Sequence, residues 1–86
     1  MEKLVRELAD ELLKNDLTIG TAESCTAGLI SAAIASISGA SRYHRGGIVA
    51  YATDLKEKLL DVGHNTIRDY DVVSSNVAMQ MALGMD

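Results

Sequence analysis

Two side chains in this sequence, a serine and a lysine, are candidates to act on a carbonyl. The block Ala22-Glu23-Ser24-Cys25-Thr26-Ala27-Gly28 falls where a charge-free, β-branched run meets a helical one. A strand-to-helix corner offers unpaired backbone N–H groups and the positive end of a helix dipole. Both favour an anion, either a phosphate or the oxyanion of acyl transfer. A serine at such a corner can attack a carbonyl. The block is not a G-x-S-x-G elbow, because Ala22 and Thr26 stand where its glycines would be. By spacing alone, Ser24 or Thr26 serves equally well as a plain helix cap. Cys25 is the competing nucleophile, but no histidine accompanies it locally, and its plainer reading is a small buried apolar side chain.

Lys56 is the second candidate. With Thr53 as N-cap, Lys56 falls at the third helical position, where a capping box would place Glu. A cation at that end of a helix meets the positive pole of the dipole, which disfavours its charged form. Lys56 also shares a face with Leu59 and Leu60, whereas Lys58 points to solvent. Lys56 is therefore the better placed of the two to serve as a base, although a surface lysine with its stem on apolar neighbours fits the same pattern. Arg45, in Arg45-Gly46-Gly47, can pair with a phosphate or can be a charged turn before a strand. Tyr51 either lines a site or is a half-buried strand residue. Arg42 is a weaker candidate, and His44 and His64 read as solvated loop residues. Glu23 either orients Lys56 or accepts a helix N–H, and the sequence leaves both open.

These residues need elements to position them. Leu4, Val5, Leu8, Leu12 and Leu13 mark one face of a helix over residues 2–14, and Asn15-Asp16 a turn. Residues 17–22 read as a strand, followed by a helix to about residue 37. That helix carries Leu29, Ile30, Ala33, Ile34 and Ile37 on one side and Ala27, Ser31, Ala35 and Ser38 on the other. Neither side is charged, so both are expected to be covered. Gly39 ends it. Residues 46–52 read as a second strand, parallel to the first by the βαβ rule. A short helix follows over residues 53–60, with Leu55 and Leu59 inward, and residues 61–71 read as looser because of Gly63, Asn65 and Asp69. Ser74 caps a last helix through Leu83, with Val77, Ala78, Met81, Ala82 and Met85 as its apolar face. Ser24 and Lys56 then both lie just past the C-terminal ends of parallel strands, the edge where open α/β sheets bind ligands.

The expected fold class is α/β, a three-layer α/β/α arrangement around a βαβ parallel core. Two strands rarely make a stable sheet, so the arrangement is expected to be incomplete by itself and to be finished by association. Composition narrows the function classes. The 86 residues carry eight basic and twelve acidic side chains, a net charge of -4, which disfavours general nucleic-acid binding. Three tyrosines without Phe or Trp make no stacking platform, and one Cys with two His builds no zinc cage or disulfide framework. No signal peptide opens the chain, so a cytoplasmic location is expected. The uncharged run 24–41 contains too many serines and alanines to read as a membrane span.

The block Thr21-Ala22-Glu23-Ser24-Cys25-Thr26-Ala27-Gly28, then Arg45-Gly46-Gly47-Ile48-Val49-Ala50-Tyr51, then Lys56 and Val73-Ser74, resembles the CinA C-terminal domain family in order and spacing. That family, associated with competence/damage-inducible proteins, includes the nicotinamide-nucleotide amidases, also called PncC. The resemblance covers residues 1–86 as one domain matching the N-terminal half of the family domain. It departs at Ala27, where glycine is frequent, and in length, since the family domain runs about twice as far. It implies an amidohydrolase that converts nicotinamide mononucleotide and water to nicotinic acid mononucleotide and ammonia, with no metal and no cofactor. Carried over, Ser24 is the nucleophile, Lys56 its base, and Glu23, Thr26, Arg45 and Tyr51 contact the substrate, with Thr26 and the helix N-terminus holding the oxyanion or phosphate. The implied partners are a small nucleotide and further copies of the chain, with no nucleic acid and no membrane. The alternative is a non-catalytic module that binds a nucleotide or self-associates.

Overall fold

The computed structural model describes residues 2–85. The chain opens with helix α1 (Glu2–Lys14), which buries Val5, Ala9 and Leu12. Asn15 closes it, its side chain donating to the Glu11 carbonyl at 2.8 Å. The first strand, β1 (Ile19–Glu23), pairs in parallel with β2 (His44–Val49). The register runs Ile19↔His44, then Gly20↔Gly46 to Glu23↔Val49, so Arg45 is an extra residue bulged from the ladder. Both strands therefore sit about two residues from their expected limits, β1 later and β2 earlier.

Helix α2 (Leu29–Ala35) links the strands and is shorter than its periodicity suggested. A five-residue turn occupies positions 24–28, and Ala27 (φ 53°) and Gly28 (φ 96°) are left-handed, so no right-handed helix begins before Leu29. Gly39 (φ 84°) does not cap this helix. It leads instead into a single 3₁₀ turn, Ala40–Arg42. Helices α3 (Thr53–Leu60), α4 (His64–Tyr70) and α5 (Ser75–Leu83) complete the chain. Helix α4 lies where a loose segment was expected. Asp61 (φ 58°) and Asp71 (φ 74°) turn the chain on either side, Asn65 and Asp69 face solvent, and Ile67 packs inward.

The two faces of the β pair carry separate cores. Ile19 packs with Ala9, Leu12, Ile34, Ala40 and Tyr43 beneath α1 and α2. Ala22 and Ile48 pack with Ala50, Leu60, Val62, Val77 and Met81 beneath α3, α4 and α5. This is the α/β/α layering expected from a βαβ unit, and it follows from the alternation of strand side chains. Only part of α2 is covered. Ile34 is buried and Ser31 half-buried, but Leu29 and Ile30 are exposed, lining open grooves between α1 and α2. On α3 it is Leu60, fully buried, rather than the exposed Leu59 that faces inward. Just past α5, Gly84 packs so tightly on the last turn of α3 that a Cβ there would collide with the Leu60 carbonyl. Among the described residues no helix is long and apolar enough to cross a membrane.

Candidate functional site

Both strand-to-helix corners lie at one end of the β pair, and a backbone bond from Ala50 N–H to the Glu23 carbonyl (2.8 Å) ties them together. At the first corner, Glu23 points back from the end of β1 and is only 2% exposed. One carboxylate oxygen accepts the Ile30 N–H at 2.8 Å; the other accepts the Ser31 N–H at 3.0 Å and the Thr21 hydroxyl at 3.1 Å. Burial pushes the Glu23 pKa up. The N–H groups of Ile30 and Ser31, with the hydroxyls of Thr26 and Thr21, outweigh burial and hold it below the ordinary carboxylate value. The anion at this helix start is therefore the protein's own carboxylate. Of the two roles the sequence left open for Glu23, the structure shows the acceptance of helix N–H groups, and the expectation that is corrected is that these N–H groups are left for a phosphate or an oxyanion. Thr26 acts on the same carboxylate. Turn 24–28 then carries Ser24, half-buried, and Cys25, which is exposed rather than a buried apolar residue. A left-handed alanine in that turn costs about 1–2 kcal/mol.

At the second corner the N-cap is Ala52, one residue earlier than expected, and it makes no side-chain bond. Lys56 is thus the fourth helical residue rather than the third. Its N–H already bonds the Ala52 carbonyl at 3.3 Å. Its side chain is 3% exposed, and Nζ donates to the Tyr51 carbonyl at 2.9 Å. The Tyr51 ring itself stands 68% exposed, so this residue enters the corner through its backbone.

Ser24, Cys25 and Lys56 line one cleft of about 190 Å³, closed opposite by Val73, Val77 and Met81. Ser74, read from the sequence as a cap, also reaches it. Its hydroxyl is occupied, accepting from Val77 N–H (3.2 Å) and donating to the Asp71 carbonyl (3.0 Å). Among the described residues no hydrogen bond occupies the Ser24 hydroxyl. A larger groove of about 680 Å³ runs between α1 and α2. It is lined largely by apolar side chains, its only charged residues being Glu2 and Arg6, which pair at 3.1 Å, and it brings no nucleophile to a base.

The structure does not bring Arg45 to the cleft. It lies near the start of β2, four residues from Val49, or about 13 Å along the strand. Arg42 is exposed in the 3₁₀ turn. His44 is a correction as well. It belongs to β2, and its Nε2 lies 2.9 Å from the Ser31 hydroxyl, while Nδ1 is buried without a partner. His64 is exposed, 3.3 Å from Glu57. Among the described residues no cluster of three His, Cys, Asp or Glu forms a metal site.

A parallel βαβ unit whose two strand ends deliver a free hydroxyl and a buried amine to one cleft is an α/β domain with a cleft at the carboxyl edge of its strands. The family model for the CinA C-terminal domain matches residues 1–86, and the chain belongs to that family. It is 46% identical over 80 residues to the "Protein MG115 homolog" of Mycoplasma pneumoniae, covering 93% of this chain and 51% of that relative. It is 44% identical over 84 residues to a "Putative competence-damage inducible protein" of Desulforamulus reducens, covering 98% of this chain and 20% of that protein. The crystal structure of a competence/damage inducible protein from Agrobacterium tumefaciens superposes with a TM-score of 0.92 at 40% identity, covering 96% of this chain and 50% of that one. The chain thus spans about half the length of the first relative and a fifth of the second.

Proposed function

We propose that the cleft performs amide hydrolysis on a pyridine nucleotide, converting nicotinamide mononucleotide and water to nicotinic acid mononucleotide and ammonia. The observation that supports this reading is the presence of Ser24 and Lys56 in one cleft although they are far apart in sequence. Ser24 Oγ attacks the carboxamide carbon while Lys56 Nζ takes the hydroxyl proton. Lys56 then returns that proton to the departing nitrogen, the C–N bond breaks and ammonia leaves. Water adds to the acyl-serine, Lys56 again accepting the proton, and the C–Oγ bond then breaks as Lys56 passes that proton to Ser24 Oγ, releasing the acid and regenerating the serine. The N–H of Cys25, next to the nucleophile, is the donor available to the developing oxyanion. No metal or cofactor takes part, and association with further copies of the chain would cover its exposed apolar side chains.

Ammonia release from nicotinamide mononucleotide, followed with the 86-residue chain and with Ser24→Ala, tests the reading. Loss of the nucleophile should cost about 10³-fold or more. Equal turnover by the two chains overturns it. A second reading is a module that binds a nucleotide without turnover. Calorimetric binding of nicotinamide mononucleotide without ammonia release would support that one.

A further inference from the structure

We propose that Glu23 is the positioning residue for Ser24, its carboxylate fastening turn 24–28 to the start of α2 so that the serine hydroxyl stays at the cleft. This rests on the reading of Ser24 as nucleophile. The turn does not hold itself. Its two internal backbone bonds are Ala27 N–H to the Ser24 carbonyl and Leu29 N–H to the Thr26 carbonyl, both 3.0 Å. Two successive residues in it are left-handed, and one of them, Ala27, has a Cβ that opposes that conformation. The carboxylate of Glu23 reaches across the whole turn, from the residue before it to the N–H groups of Ile30 and Ser31 after it. Thr21, two residues back on β1, donates to the same group and fixes its rotamer. The strand end, the turn and the helix start are thereby joined through one buried side chain, and Ser24 is the residue directly attached to it. A carboxylate is the group this arrangement requires, because both oxygens must accept. A glutamine of the same size accepts with one oxygen and turns an N–H₂ group toward a second N–H.

Glu23→Gln and the milder Thr21→Val, made in the 86-residue chain, test this by two readouts. The first is amide hydrogen exchange. Glu23→Gln should speed exchange at Ile30, Ser31 and residues 25–28 by about tenfold and Thr21→Val by about threefold, with α1 amides changed less than about twofold. The second is acylation of Ser24 by a fluorophosphonate, read by intact mass with Ser24→Ala as blank. In Glu23→Gln the rate constant should fall about 10- to 100-fold while the final stoichiometry stays at one label per chain. Unchanged exchange in both variants overturns the proposal. So does faster exchange with an undiminished labelling rate, and so does reduced stoichiometry at the parent's rate, which marks a merely structural role. If the parent labels no more than Ser24→Ala, the nucleophile reading and this proposal fall together, whereas the other three outcomes remove the proposal alone.

Discussion

The two strand-to-helix corners stand side by side and are built in opposite ways. After β1 the chain takes five residues to reach its helix, passes through two left-handed positions, and is held by an anionic side chain bonded to backbone N–H groups. After β2 it takes three residues, stays extended through Ala52, and is held by the Lys56 amine donating to a backbone carbonyl. In each case the side chain satisfies backbone groups that a helix start or a strand end leaves free. The first corner uses its ion as a fastener and exposes a neutral hydroxyl beside it. The second places its amine at the same cleft. A cleft can therefore be assembled from two unlike corners when one polar side chain is spent on structure and the other is kept beside the open space.

The sharpest way to break this contrast is Lys56→Met. If the amine is the working group of its corner, ammonia release should fall about 10³-fold. The thermal midpoint should hold or rise, because a buried amine with one bonded carbonyl is replaced by an apolar chain of similar length. A lowered midpoint would show instead that the lysine is structural, like Glu23. Next in size is Glu23→Ala. It leaves the Ile30 and Ser31 N–H groups without an acceptor, and urea unfolding should show a loss of about 3 kcal/mol.

Acid titration sharpens the same point. The Glu23 carboxyl has a lower pKa folded than unfolded. Its contribution is therefore fully present above the unfolded carboxyl's value and is lost as the pH falls through the folded one. Urea midpoints measured from neutral pH down to about 3 should drop along that limb in the parent and be flatter in Glu23→Gln. The smallest expected effect is that of Ala27→Gly. Removing the methyl that opposes φ 53° should raise stability by about 0.5–1 kcal/mol, net of the added backbone entropy of the unfolded chain, with no loss of activity.

Regular periodicity made the elements legible from the sequence; the corners between them were not. The span of α1 is the one its apolar repeat indicated, although Leu4 and Leu13 of that face stand exposed and Ala9 is buried, and Ser74 caps α5 through the bond its type promised. The parallel pairing of β1 and β2 follows from the helix between them. The same repeat overran α2, because periodicity does not register the left-handed turn at Ala27 and Gly28. It missed α4, because a seven-residue helix with a single inward side chain, Ile67, leaves too little signal against Gly63 and Asn65. At the site, the convergence of Ser24 and Lys56 was legible from strand topology. The role of Glu23 was not, since it depends on how closely the turn folds back upon the strand end. Nor was the place of Arg45, which a one-residue bulge leaves at the far end of β2.

Gly84 bears on all of this from a distance. The helix that ends beside it supplies Val77 and Met81, the wall facing Lys56, and the carbonyl it rests on belongs to the last residue of the helix that carries Lys56. A missing methyl group, some seven residues beyond Val77, thus acts as the shim that sets how wide the jaws stand. An alanine there would pry the two helices apart at their far ends and loosen the grip on anything held between them, without altering a single atom that lines the cleft.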